Sequence, residues 1–178
     1  MKKRNIFAVI ILTLMIMLVC SGCAAKAFVP NVKEAFFDFS ITYEVYGEEH
    51  TYNGVYVCEY DGIYITVYGS TSLWKDYVED NEEMTILIEE NDEFSVYIIL
   101  ALNPEYFMND PGFYGEIPKP MIYAEFSDQE TGEVSLIWDE EVIYENFGSR
   151  IISYNYPEPI ENDYQEKWSF GKFEPGIN

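Results

Sequence analysis

The chain has 178 residues, of which 32 are acidic and 10 are basic, so its formal net charge is −22. This length fits one domain with at most a short appendage. The charge excludes nucleic acid as a natural partner, because phosphate binding requires a basic surface.

The first 22 residues have the pattern of a signal peptide. Three basic residues at positions 2–4 precede an apolar run at 6–19, and small residues follow in Ser21-Gly22-Cys23. The apolar run is shorter than the roughly 20 residues that a membrane-spanning helix needs. We therefore interpret this segment as a targeting sequence rather than as part of the fold.

The end of this segment resembles the lipobox of bacterial lipoproteins, in which an aliphatic residue and two small residues precede a lipidated cysteine. Ser21-Gly22-Cys23 matches the last three positions, and Cys20 stands where leucine is usual. The resemblance covers residues 1–23 and implies that residues 1–22 are removed and that Cys23 carries the lipid. The alternative is an ordinary secretory signal that is cleaved after Ala25 or Ala27.

The lipobox resemblance also implies a location and a domain plan. Two or more acyl chains on one cysteine give a stable membrane anchor. We expect the protein to face outward from a bacterial cell membrane, or from an outer membrane if the organism has one, with membrane lipid as its first partner. Residues 23–33 are then the lipidated cysteine and a short tether, and residues 34–178 are a single acidic β-rich domain.

The first strands of the domain are predicted from alternating apolar and polar side chains. The pattern covers 37–45, 55–60 and 63–68. Asp61-Gly62 between the last two runs is a strong hairpin signal, because a type I′ turn needs positive φ at both central residues. These three strands are expected to form a meander.

Further along the chain, paired runs predict two more hairpins. Residues 84–90 and 94–101 are joined by Asn91-Asp92, and residues 121–127 and 133–138 are joined through Thr131-Gly132. The run at 94–101 is apolar on both faces, so it is expected in the centre of a sheet. Runs at 150–156 and 164–170 bring the total to about nine strands.

Two short helices are predicted at 139–148 and 72–80. In the first, Asp139 can cap the amino end and Gly148 can end the helix; in the second, apolar residues recur at helical spacing. The sequence does not alternate between predicted strands and predicted helices, as it would for a parallel sheet. The predicted fold class is therefore mainly β, an antiparallel β-sandwich or partly open barrel of about nine strands with one or two short helices.

The residues that could support catalysis or metal binding are few. His50 is the only histidine and lies at a predicted turn, and Cys58 lies inside a predicted strand. Acidic clusters at 79–83, 89–93 and 161–163 could attract calcium, but none has the spacing of a calcium loop. We expect no catalytic residue, no resident metal and no cofactor, and we interpret the clusters as solvated strand ends.

The segment 103–120 is the strongest candidate for a binding site. It is a long connection without periodicity, and such loops are often functional. Its aromatic residues could stack on sugars or anchor a protein partner; they are Tyr106, Phe107, Phe113 and Tyr114. The alternative is an Ω-loop whose aromatic side chains fold back and cover the core.

These observations favour a lipid-anchored, non-enzymatic domain that binds a protein or glycan at the bacterial surface or assists other envelope components. A small extracytoplasmic hydrolase or metal-dependent enzyme that uses acidic residues is one alternative. A calcium-sensitive structural envelope protein is the other. The oligomeric state cannot be predicted from the sequence.

Overall fold

A computed structural model of the protein describes residues 24–66, 69–127 and 134–170. Within these ranges the chain is mainly β, with ten strands in antiparallel sheets that include a half-barrel, and two short helices. The predicted fold class is confirmed. Neither helix has the length and apolar character that crossing a bilayer would require.

The strands and helices follow one another along the chain in this order: β1 (Ala24–Pro30), β2 (Glu34–Val45), β3 (Glu48–Thr66), β4 (Gly69–Val78), β5 (Thr85–Glu90), β6 (Phe94–Ile99), α1 (Pro104–Phe107), β7 (Met121–Ser127), β8 (Val134–Ile137), α2 (Glu140–Phe147), β9 (Ser149–Asn155) and β10 (Tyr164–Phe170). Two four-stranded sheets have the orders β4-β3-β2-β9 and β5-β6-β7-β8. β1 and β10 form a separate two-stranded ribbon.

The first sheet is built on a long hairpin whose turn differs from the predicted one. β2 and β3 pair from Glu34↔Glu59 to Val45↔Glu48, and the two loop residues, Tyr46 and Gly47, both have positive φ. This is the backbone pattern of a type I′ turn. The turn therefore lies at Tyr46-Gly47, and the prediction that places His50 at this turn is wrong, because His50 lies within β3 and pairs with Tyr43.

The predicted hairpin at Asp61-Gly62 is wrong. β3 runs through these residues to Thr66, and its pairing with β4 shifts register between Tyr60 and Gly62. Gly62 has a φ of 117°, which suits a glycine at a bulge. The predicted third strand of the meander is thus the second half of β3.

The predicted helix at 72–80 is also wrong, because this segment belongs to β4. Its alternate residues Ser72 and Val78 are buried, whereas Leu73 and Lys75 are exposed. Burial at every second position is the period of a strand. Pairing with β3 along ten register positions therefore overrides the local helical spacing.

The second sheet confirms the later hairpins. β5 and β6 pair around Asn91, and β6 lies between β5 and β7, so the predicted central strand is central. β7 pairs with β8 as predicted. The predicted turn residues between β7 and β8, Thr131-Gly132, lie outside the described residues.

The segment predicted as a tether contains a strand. β1 pairs with β10 at every position from Ala24↔Phe170 to Pro30↔Tyr164. Ala27 and Pro30 are buried, so this segment packs against the domain. A long-range pairing of this kind leaves little local signal in a short segment rich in alanine.

One hydrophobic core joins the two four-stranded sheets and α2. Phe37, Phe39 and Ile41 of β2 belong to the same buried cluster as Val96 and Ile98 of β6. Helix α2 adds Ile143 and Phe147 to this cluster. The Phe147 ring lies 4.6 Å from that of Phe94 and 5.4 Å from that of Phe126.

Helix α2 has the predicted boundaries. The Asp139 side chain accepts hydrogen bonds from the backbone N–H groups of Glu141 and Val142, as an N-cap residue does. Gly148 ends the helix in the left-handed conformation at φ 60°.

Candidate binding site at the 103–120 loop

The four aromatic residues predicted for this site have different surroundings. Phe107 is completely buried, Tyr106 and Phe113 are half-buried, and Tyr114 is 93% exposed. The Tyr106 ring packs edge-on against both Phe107 and Phe113, at 5.1 and 5.7 Å. The loop therefore folds back on the domain, and Tyr114 is the one member of this set that presents most of its surface to solvent.

Phe107 is a core residue rather than a surface contact. Its ring lies 5.1 Å from Phe37 and 5.4 Å from Tyr56. Phe107 is the last residue of α1, a single helical turn that was not predicted from the sequence. The signal was present, because Asn103 caps the turn, Pro104 follows at its start and Glu105 lies at its positive end.

The loop is held against the domain by polar contacts with distant parts of the chain. The carbonyl of Met108 accepts hydrogen bonds from Asn162 Nδ2 at 3.2 Å and from the Tyr164 hydroxyl at 3.0 Å. Asn162 also bonds both backbone groups of Val32, accepting from its N–H and donating to its carbonyl. The acidic cluster at 161–163 thus contains a structural clamp between the loop and the end of β1.

Asp110 is the central charged residue of the loop. It is 8% exposed, and its Oδ1 accepts from the Gly112 backbone at 2.8 Å while its Oδ2 accepts from Trp74 Nε1 at 3.1 Å. Asp110 was not among the predicted site residues. Its signal is the run Asp110-Pro111-Gly112, in which an aspartate side chain bonds the backbone two residues further on.

A cavity of about 390 Å³ lies between this loop and the strands β1 and β4. Tyr114 and Phe28 contribute aromatic rings, Asp110 contributes the carboxylate, and 70–72 contributes three hydroxyl-bearing side chains. Pro111 and Gly112 complete the wall. This volume is in the range of small-molecule binding sites.

The electrostatics of this region are acidic. Burial raises the pKa of Glu105, and the Asp110 carboxylate raises it further. Burial likewise raises the pKa values of Tyr60 and Tyr164, and Asp110 again adds to both. Among the side chains that the structure describes, those lining the cavity include no basic one, so this lining suits neutral hydroxylated or cationic groups rather than anions.

His50 and Cys58 are placed apart from this cavity. His50 is exposed near the start of β3, and its ring stacks on Tyr43 at 5.5 Å. Cys58 is fully buried, and burial raises its pKa to about 12. A thiol in this state is a poor nucleophile, because the thiolate is the reactive form.

The two other acidic clusters, at 79–83 and 89–93, lie at turns next to strands. Asn81 Nδ2 donates to the carbonyl of Thr85 at 2.8 Å, and Asn91 Oδ1 accepts from the N–H groups of Glu93 and Phe94. Among the residues that the structure describes, no group of three or more His, Cys, Asp or Glu side chains is arranged to hold a metal ion. Cys23 lies outside the described residues.

No protein-family model, no curated protein and no solved structure matches the chain.

Proposed function

We propose that the protein is a lipid-anchored, extracytoplasmic domain that binds a neutral polyhydroxylated ligand, such as a glycan, in the cavity at the 103–120 loop. The observation that carries the ligand class is that the exposed Tyr114 ring and the nearly buried carboxylate of Asp110 line the same cavity. Sugars combine apolar C–H faces, which stack on aromatic rings, with hydroxyl groups, which donate to carboxylates.

The rest of the cavity supports the same ligand class. The hydroxyl groups at 70–72 offer both donors and acceptors, and Phe28 offers a second, half-exposed ring. Asp110 is held in place by Trp74 and Gly112, so its position is fixed before a ligand arrives. Such preorganisation lowers the entropic cost of binding.

The anchor rests on the lipobox resemblance at Ser21-Gly22-Cys23. β1 begins at Ala24, the residue after Cys23, so lipidation would bring the β1–β10 ribbon next to the membrane surface. The test of this half of the proposal is mass spectrometry of the natural amino terminus and of a Cys23→Ser variant. We expect an acylated Cys23, and loss of membrane fractionation or an uncleaved precursor in the variant; an unmodified Cys23 thiol would contradict it.

The ligand half is tested separately with defined neutral oligosaccharides, including chains of N-acetylglucosamine. We expect Tyr114→Ala to weaken binding by about tenfold, which corresponds to one well-stacked ring. Tyr154→Ala is the matched control, because Tyr154 is also exposed but lies on β9 outside the cavity. Equal binding by both variants would refute the site.

A further inference from the structure

The outer surface of the second sheet is apolar where an outer sheet surface is usually polar. Val96, Ile98, Ile122 and Ala124 point into the core and are buried. The residues that alternate with them along β6 and β7 point outward. Their neighbours on the same side of β5 and β8 point outward as well. We call this surface the outer aromatic face; it consists of Leu87, Tyr97, Met121, Tyr123, Leu136 and Trp138.

Four members of the outer aromatic face are exposed, namely Leu87, Met121, Leu136 and Trp138, whereas Tyr97 and Tyr123 are half-buried. Leu87 and Leu136 are 48% and 49% exposed, and Trp138 is 50% exposed. The outer side of β2 in the first sheet is different, because from Asp38 to Glu44 it carries the usual polar and charged residues. The first sheet also exposes apolar side chains, among them Phe36, Ile152 and Tyr154. The second sheet differs because its exposed side chains surround a row of stacked rings, and a contiguous patch of this kind indicates an interaction site.

Three rings form a continuous row on this face. Tyr97 and Tyr123 are cross-strand partners whose ring centroids lie 5.1 Å apart with planes at 16°. Trp138 continues the row, 5.0 Å from Tyr123 with planes at 23°. Tyr123 covers one side of the Trp138 indole, so the half-exposed indole offers its other side to a partner at the end of the row.

The charge around this face identifies the kind of partner. The segment 76–149, which contains the whole second sheet, has 20 acidic residues and one basic residue, Lys119. Lys119 lines a groove beside β9 with residues 151–154. Glu125 belongs to the outer side of β7, two residues from Tyr123.

The electrostatics of Tyr123 reflect the same acidic surroundings. Burial raises the pKa of the Tyr123 hydroxyl, and the carboxylates of Glu125 and Glu83 raise it further. Within the described ranges, no basic side chain forms an ion pair with Glu83 or Glu125. The rings are thus bordered by carboxylates that a partner's cations could neutralise.

We propose that the outer aromatic face docks a cationic segment of another protein. Arginine or lysine side chains of such a segment would lie over Trp138 and pair with Glu125 and Glu83, while its apolar residues would cover Leu87 and Leu136. A second copy of this chain fits less well, because pairing two such faces would bring two strongly acidic surfaces together. This proposal does not depend on the cavity or on the lipid anchor.

The test uses the full chain as purified and a short fluorescent peptide of alternating arginine and leucine, with the peptide alone as background. We expect Trp138→Ala and Glu125→Lys each to weaken binding by about tenfold. The matched controls are Phe36→Ala, which removes an aromatic residue that is 59% exposed on the first sheet, and Glu48→Lys, which makes the same charge change on β3. Both controls should bind within about twofold of the parent chain.

Each outcome decides the proposal. Selective loss in the two face variants, together with weaker binding at higher salt, supports it. Equal binding by all four variants would show that net charge alone attracts the peptide, and absence of binding would also overturn the proposal. Concentration-dependent dimerisation that Trp138→Ala abolishes, without peptide binding, would assign the face to a second copy instead. If Trp138→Ala does not fold, the comparison of Glu125→Lys with Glu48→Lys still decides.

Discussion

Trp74 donates its indole N–H to the carboxylate of Asp110 at 3.1 Å and so connects β4 to the 103–120 loop across 36 residues of sequence. The same carboxylate accepts from the backbone of Gly112. The bond therefore fixes both the shape of the loop and its position over the strand.

The Trp74–Asp110 bond should contribute measurably to stability. We expect Trp74→Phe and Asp110→Ala each to lower the free energy of unfolding by about 1–3 kcal/mol, because a hydrogen bond to a charged, largely buried group is lost. The measurement is urea denaturation of both variants and of the double variant. A direct bond predicts that the double variant loses less than the two single losses combined; strict additivity would contradict the contact.

Phe107 and Tyr114 should respond in opposite ways to truncation. We expect Phe107→Ala to lower the free energy of unfolding by about 3–5 kcal/mol, because it leaves a cavity among Phe37 and Tyr56. Tyr114→Ala should change it by less than about 0.5 kcal/mol, since that ring is 93% exposed. Equal losses in denaturant melts would show that the loop is folded differently.

Gly148→Ala should destabilise the protein more than Gly47→Ala. Both glycines have positive φ, so each alanine variant has a backbone cost of about 1 kcal/mol. A Cβ at Gly148 would also lie 2.8 Å from the Tyr46 ring, whereas a Cβ at Gly47 would have nothing within 4 Å. Thermal denaturation of both variants measures the difference, and a smaller loss for Gly148→Ala would contradict the close approach.

Stability should fall in alkaline solution. Burial raises the pKa values of the Tyr56, Tyr156 and Tyr164 hydroxyls above the ordinary value of 10.0. Below about pH 10 these groups are neutral in both states, and the full stability is present. Above it the unfolded chain releases protons that the folded chain retains, so the free energy of unfolding should fall by about 1.4 kcal/mol per pH unit for each tyrosine.

Urea denaturation at about pH 8 and about pH 11 measures this loss. Tyr56→Phe provides the internal comparison, because it removes one buried titrating hydroxyl. The variant also loses the hydrogen bond to Asp76 and should be less stable at all pH values, but its stability should fall less steeply with pH. An unchanged slope would contradict the burial of an ionisable Tyr56.

The elements that the sequence predicts well are those whose signals are local. The capping residues Asp139 and Gly148 mark α2, and the alternation before and after Asn91 marks the β5–β6 hairpin. In both cases the residues that determine the structure are also those that contact one another. Helix α1 has local signals of the same kind in its cap, proline and acidic residue, although it was not among the predicted elements.

The elements that the sequence predicts poorly depend on partners far along the chain. The spacing in β4 fits a helix as well as a strand, and only its pairing with β3 selects the strand. Asp61-Gly62 has turn chemistry, but continued pairing on both sides of it makes it a bulge. For the proposed binding site, the sequence locates the loop and includes Tyr114 among four aromatic candidates, whereas the exposure of Tyr114 and the contribution of Phe28 depend on the folded chain.

The β1–β10 ribbon would have a mechanical consequence if the proposed anchor at Cys23 holds the domain by its amino end. A force applied at Ala24 acts first on the pair Ala24↔Phe170 and would then separate β1 from β10 one pair at a time. The double hydrogen bond between Val32 and Asn162 comes after these seven pairs and would add resistance to further separation. The protein could thus lengthen its reach under tension while the clamp protects its core.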